Sequence, residues 1–453
     1  MSAFRVNKNV FRSYDVRGAV PEEMDETTAY AIGKAFARFN PATAVAVGYD
    51  HRDSSPALRE NLVQGLLDSG VDVIDLGQVM TDMTYFATWN AAVQGAVMIT
   101  ASHMPAKFNG FKFITKDLQP IGQGSGMEEL LAFAAQATAG LTAGKTRGKV
   151  SKLDVLQPYL DFVASFIDTK AVRPLRVVVD CGNGVAGPIV REAFKRLPIE
   201  VIELCFTPDA RFPNHEANPI EAHNRKDIEA AVVAQKADLG IAFDADADRC
   251  YLIDERGQFV HGDFLTALLA KRFLQRSPGA SIVYDVRASL VVPHTVATCG
   301  GTAHVERVGH SHIKRRMRAE QAVFGGEVSG HFYFADNKYM DNGLIPAYMA
   351  LELLSTSDKP LSQLIGDLGP YFVSGEINSK VADQKAALKR LHAYAWGENA
   401  LTKTMDGLSM DFADWRFNVR PSANEPVLRL NLEAKTQKMM EEKRDAVLAL
   451  IRA

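Results

Sequence analysis

The chain has 453 residues, too many for one ordinary hydrophobic core, so about three or four domains are expected. Its 47% hydrophobic and 23% charged residues describe a globular protein and exclude a disordered one. A formal net charge of −3 argues against broad, sequence-independent binding to nucleic acid, while leaving room for a local basic cleft.

The cysteines Cys181, Cys205, Cys250 and Cys299 form no CxxC pair, so the spacing suggests neither a disulfide scaffold nor a zinc site. Buried free thiols are expected. The N-terminal segment lacks the apolar core of a signal peptide, and no apolar run approaches the roughly 18 residues of a membrane span. A cytoplasmic location follows as the expectation, with no membrane partner and no nucleic-acid partner.

In chain order, Ala44 to Val47 reads as a strand ending in Gly48-Tyr49-Asp50. A helix is predicted from Ser55, as cap, with Pro56 at its first position, stopping near Gly70. Further buried strands are predicted at Val71 to Leu76, Gly95 to Thr100, Val177 to Asp180, Leu239 to Phe243, Ile282 to Asp285 and Val323 to Gly325. Helical patterns at Lys226 to Gln235 and Ser311 to Ala319 lie between them. Such alternation implies α/β units with parallel or mixed sheets. Polar stretches at Gly144 to Lys152, Asp254 to Gly262 and Ile365 to Ser374 mark boundaries. The last segment pairs a helix at Gln384 to Trp396 with strands at Trp415 to Val419 and Val427 to Glu433 and a terminal helix from Lys435, a smaller α+β pattern. The expected architecture is three similar α/β domains (1–149, 150–255 and 256–368) followed by an α+β domain (369–453).

Four motifs carry chemistry. Thr100-Ala101-Ser102-His103-Met104-Pro105 follows an apolar strand, where α/β sheets gather ligands. An exposed Ser102 beside His103 is expected there, and Lys112 returns to the same place if 105–110 forms a loop. By itself the pattern equally fits a serine and histidine capping a turn. Asp244-Ala245-Asp246-Ala247-Asp248-Arg249 also follows an apolar strand. Three crowded carboxylates call for a cation, and hard oxygen ligands suit Mg²⁺, with Arg249 as a fork for phosphate. An EF-hand would need glycine at the sixth position, where Arg249 stands. An aspartate-nucleophile phosphatase would leave Ser102 and the third aspartate without a role.

In Gly326-Glu327-Val328-Ser329-Gly330-His331 the alternating Glu327, Ser329 and His331 could face one side and bond a polyhydroxylated substrate. An ordinary turn fits as well. Arg420-Pro421-Ser422-Ala423-Asn424-Glu425-Pro426, between two strands, has the makings of an anion nest or of a simple hairpin loop.

In this order, and over nearly the whole chain, the four motifs resemble the α-D-phosphohexomutase superfamily, and most closely its bacterial phosphomannomutase/phosphoglucomutase type. Tyr14-Asp15-Val16-Arg17-Gly18, Gly48-Tyr49-Asp50-His51-Arg52-Asp53-Ser54-Ser55, Phe212-Pro213-Asn214-His215, Tyr284-Asp285-Val286-Arg287 and Val308-Gly309-His310-Ser311 add to the resemblance. It implies four domains around a central cleft and a phosphoserine at Ser102. Mg²⁺ would be held by Asp244, Asp246, Asp248 and the serine's phosphate.

The implied reaction interconverts hexose 6-phosphate and hexose 1-phosphate, mannose above all, through a hexose 1,6-bisphosphate that also serves as activator. Phosphoglucomutase or dual activity is the alternative within the class, and a metal-dependent phosphohydrolase or a non-catalytic sensor the alternative outside it. Arg249 would neutralise charge, while His103, Lys112 and His331 serve catalysis. Tyr14, Arg17, Arg287, His310, Glu327 and Ser329 would bind substrate, and Arg420, Ser422 and Asn424 would clamp its phosphate. A monomer is expected, with a dimer as the alternative. The chain departs from the family pattern at Met104, Ala245, Ala247, Ala423 and Asn424; alanine at 245 and 247 is harmless only where the backbone angles are ordinary.

Overall fold

The computed structural model describes residues 5–396, 400–421 and 427–453. It divides into two compact units, one running to Phe259 and including Asp336–Leu361, the other formed by Val260–Ala335 and Ser362–Ala453. Among the described residues no helix is long and apolar enough to cross a membrane.

The first unit holds two sheets. One runs Val16–Ala19, Phe108–Thr115, Gly95–Ile99, Ala44–Tyr49, Asp72–Gln78 and Val150–Lys152. Its centre is parallel, and Phe108–Thr115 is antiparallel to both neighbours. Gly95–Ile99 is buried throughout, which explains its unbroken apolar run. The boundary segment Gly144 to Lys152 ends in an edge strand of this sheet. The helix expected from Ser55 spans Ser55–Asp68, but its N-cap is Ser54, without a side-chain bond. Ser55 instead donates its hydroxyl to Asp50 Oδ1 at 2.6 Å, a tertiary bond that outweighs local capping.

In the second sheet Leu239–Phe243 lies between antiparallel Cys250–Ile253 and parallel Arg176–Asp180, which pairs in turn with Glu200–Leu204. The segment Asp336–Leu361 joins this unit through the helix Leu344–Ser355, whose Tyr348 hydroxyl donates to the Ala193 carbonyl at 2.6 Å.

In the second unit, Ser281–Asp285 is flanked by parallel Thr302–Glu306 and Phe324–Gly326, and the latter pairs antiparallel with Phe332–Phe334. The C-terminal sheet is antiparallel, in the order Phe372–Lys380, Val427–Ala434, Trp415–Pro421, Leu408–Asp411, Leu401–Lys403. Helices Gln384–Trp396 and Gln437–Arg452 pack on it around Leu391, Phe417, Leu430 and Val447, the α+β pattern expected from the sequence.

Candidate active site

The serine loop follows Gly95–Ile99 and turns directly into Phe108–Thr115. Lys112 therefore comes back on an antiparallel strand, opposite Met98, and not merely at the end of a loop. Ser102 itself is 1% exposed, not open as expected. Its backbone stands at φ 51°, a strained conformation for a residue other than glycine and one that concentrates at functional sites.

Arg52 holds the loop there. Its guanidinium donates to the carbonyls of Ser102 (2.7 Å), Met104 (2.6 Å), Pro105 (2.9 Å) and Phe108 (3.1 Å), and its Nε to Asp50 Oδ2 (3.1 Å). The arginine is fully buried, so these bonds replace its water. In the sequence Arg52 and Asp50 stand out only as part of the polar run Asp50 to Ser55, which follows the carboxyl end of a buried strand.

Ser102 Oγ donates to Asp244 Oδ2 at 2.8 Å and lies 3.2 Å from His103 Nδ1. Asp244, Asp246 and Asp248 bring their carboxylates within 4.8 Å of one another, all buried. The turn that carries them is braced by neighbours. Thr81 donates its backbone N–H to the Asp246 carbonyl at 3.1 Å and its hydroxyl to Asp246 Oδ2 at 2.5 Å. Val185 N donates to Ala245 O at 3.0 Å, and Gly184 approaches so closely that a Cβ would lie 2.4 Å from that oxygen. Ala247 sits at φ 54°, so its alanine is a strained substitute, whereas Ala245 is not in the left-handed region.

The electrostatics ask for a cation. Burial, then the charges of Asp248 and Asp246, push the Asp244 carboxyl up to about 8. Asp246 Oδ1 is buried without a hydrogen-bond partner. Lys112 Nζ lies 2.7 Å from Asp246 Oδ2 and also pairs with Asp248. Burial pulls its pKa down, but the two carboxylates win and raise it, so Lys112 is an ammonium here and not a ready base. Arg249 reaches Asp244 at 3.5 Å and Asp248 at 3.9 Å. An oxygen set with an orphaned buried carboxylate atom and a serine hydroxyl beside it fits a hard divalent ion. Arg17, on Val16–Ala19, pairs with Asp15, the residue just before that strand, and Tyr14 precedes Asp15.

In the second unit, Glu327 is buried and accepts from Gly309 N (2.9 Å) and the Tyr333 hydroxyl (2.7 Å), with His331 Nδ1 at 3.2 Å. Burial pushes its pKa up, but His331, Arg287 and Tyr333 hold it below the usual carboxylate range. Ser329 Oγ is 3.3 Å from the same histidine nitrogen. Glu327, Ser329 and His331 do converge, though through a turn with Gly330 at φ 82° and not through strand alternation. Both Glu327 oxygens are already engaged, so its first task is to orient His331 and Gly309.

His310 opens the helix His310–Ala319 just after Gly309. Arg287 forms a bidentate pair with Asp285 at 3.0 and 2.9 Å and reaches Ser329 Oγ at 3.4 Å. Glu376, which no motif singled out, gathers Arg287 (3.6 Å), Arg420 (3.6 Å) and Arg429 (3.1 Å). Ser422 and Asn424, with Ala423, lie outside the described residues.

Models of the phosphoglucomutase/phosphomannomutase α/β/α domains I, II and III match residues 8–137, 157–257 and 261–371, and that of the C-terminal domain matches 376–450. The chain belongs to this family. It is 40% identical to the phosphomannomutase of Escherichia coli K12, with 97% of this chain and 98% of that one covered. Identity to a protein of Xanthomonas campestris named "Phosphohexose mutases" is also 40%, over 96% and 97%. A solved phosphoglucomutase/phosphomannomutase family protein from Burkholderia thailandensis superposes with a TM-score of 0.89 at 32% identity, covering 99% and 98%. As a family member the chain is an isomerase, an intramolecular phosphotransferase acting on hexose phosphates.

Proposed function

We propose that this chain interconverts mannose 6-phosphate and mannose 1-phosphate through a phosphoserine at Ser102 and a hexose 1,6-bisphosphate intermediate. The observation that carries this reading is the 2.8 Å contact of Ser102 Oγ with Asp244, inside a buried cluster of three carboxylates. Mg²⁺ held by Asp244, Asp246 and Asp248 would supply charge neutralisation at the phosphoryl group.

The chain's own residues do the rest. Arg52 fixes the serine backbone, so Oγ is presented at one point. Arg249 sets a guanidinium beside Asp244, where charge develops during transfer. Lys112, held as an ammonium by its carboxylate partners, is suited to neutralising charge beside the serine and is a poor donor or acceptor of a proton while both carboxylates face it. His331, oriented by Glu327, is the candidate for general acid/base work. His103, 3.2 Å from Ser102 Oγ, is assigned to catalysis beside the serine. Arg17, Tyr14, Arg287 and His310 are assigned to the substrate, Ser329 to sugar hydroxyls, and Arg420 with Ser422 and Asn424 to the phosphate that is not reacting. Phosphomannomutase relatives along the whole chain favour mannose over glucose.

Burial of Ser102 supports a mutase over a phosphohydrolase, since a transferable phosphoryl group must be kept from water. The test compares mannose 1-phosphate and glucose 1-phosphate with Mg²⁺ and a trace of hexose 1,6-bisphosphate. Wild type should isomerise mannose 1-phosphate faster and release little inorganic phosphate, and Ser102→Ala should lose activity by at least about 10³-fold. Full activity in Ser102→Ala would sink the mechanism; phosphate release without isomerised product would make the protein a hydrolase.

A further inference from the structure

The motif Phe212-Pro213-Asn214-His215 finds no place in the reaction just described, yet it closes a second cluster of ligating side chains in the first unit. Asp180 ends the strand Arg176–Asp180, and Cys205 immediately follows its parallel neighbour Glu200–Leu204. His215 arrives from the loop beyond. One ligand atom from each lies within 4.8 Å of the others, with Asp180 buried and Cys205 partly open to solvent. We propose that Asp180, Cys205 and His215 form a binding site for a thiophilic divalent cation, zinc or its cobalt substitute, separate from the three-aspartate cluster.

The geometry is that of a ligand set. His215 Nε2 lies 3.0 Å from Asp180 Oδ2 and 3.8 Å from Cys205 Sγ. Tetrahedral zinc with ordinary bond lengths separates nitrogen from oxygen by about 3.3 Å and nitrogen from sulfur by about 3.6 Å. Adjustments of roughly 0.3 Å would seat the ion.

Each ligand is also held from behind, as metal ligands are. His215 Nδ1 donates to the Glu216 carbonyl at 3.0 Å, which leaves Nε2 as the ring's coordinating atom. Asp180 Oδ1 accepts from Gly182 N at 2.8 Å, leaving Oδ2 for the cluster. Asn214 Nδ2 donates to Cys205 Sγ at 3.0 Å, which fixes the direction of the sulfur.

Cysteine and imidazole in one set select against Mg²⁺ and for zinc. Sequence spacing concealed this site because its ligands come from three separate segments. Phe212, in the same loop as His215, packs with Ala217 and Ala245, so an ion here would brace the turn that carries Asp244 and Asp246.

Cobalt binding to chelator-treated, reduced protein tests the assignment. Wild type should show a thiolate-to-cobalt charge-transfer band, abolished in Cys205→Ser and His215→Gln, retained in Asp246→Asn and bleached by added zinc. No such band in wild type, or an equal band in Cys205→Ser, overturns the proposal and leaves an Asp180–His215 ion pair. A second measurement needs no variant and so survives any misfolding of one. Zinc should slow alkylation of Cys205, read by peptide mass spectrometry, at least about tenfold. An unchanged rate overturns it equally.

Discussion

Two alanines in one turn illustrate how much a single backbone angle decides. Ala245 and Ala247 are both fully buried, yet only Ala247 is in the left-handed region, at φ 54°. A side chain there costs about 1–2 kcal/mol relative to glycine. Replacing a buried alanine by glycine elsewhere loses about 0.5–1 kcal/mol of backbone entropy and about 0.8 kcal/mol of methyl burial. Ala245→Gly should therefore lower stability by roughly 1–2 kcal/mol, while relief of strain offsets the same losses in Ala247→Gly, leaving it near neutral. Urea unfolding of the two variants separates these outcomes; equal losses would mean that the turn relaxes around Ala247. The sequence marked both alanines as departures but could not tell them apart, because φ is set by the packing of Gly184 and Thr81 against the turn.

At the scale of the element, the loop between Gly95–Ile99 and Phe108–Thr115 is a reactive segment hung on one buried guanidinium. Arg52→Lys keeps the charge but offers three donors from one atom, which cannot span four carbonyls and Asp50. Stability should fall by roughly 2–4 kcal/mol, with faster amide exchange concentrated in residues 100–108 and a loss of turnover greater than any change in KM. Unchanged exchange there would show that the hairpin strands alone hold the serine.

The buried strands were legible because continuous apolar runs are dictated by two-sided covering, as in Leu239–Phe243. Phe108–Thr115 was missed, since its Asn109, Gly110 and Lys112 break the run for reasons of function. Ser102, Lys112 and the three aspartates were readable as residues. Their burial, and the grip of Arg52 and Glu376, depended on chain segments distant in sequence.

At the scale of the whole molecule, two compact units mean that stability is not one number, and local probes are the proper measure. In the second unit Glu433 is buried under Leu290, whose N–H lies 3.3 and 3.2 Å from its two oxygens. Burial, and to a lesser degree the charge of Asp263, push its carboxyl up to about 7, although Ser289 and Arg416 pull the other way. A carboxyl that binds its proton more tightly folded than unfolded stabilises fully below the unfolded value of 4.5, and this contribution disappears as pH rises through 7. The loss is at most about 3 kcal/mol between those limits. Glu433→Gln keeps an acceptor for Leu290 and cannot ionise, so its stability should stay level over the same range. Native-state hydrogen exchange of Trp415–Pro421 and Val427–Ala434, followed from pH 5 to 8 and corrected for intrinsic rates, reads this directly. Wild type should lose protection toward pH 8 while the variant holds it, and parallel profiles would place the ionisation of Glu433 outside the folding equilibrium of this unit.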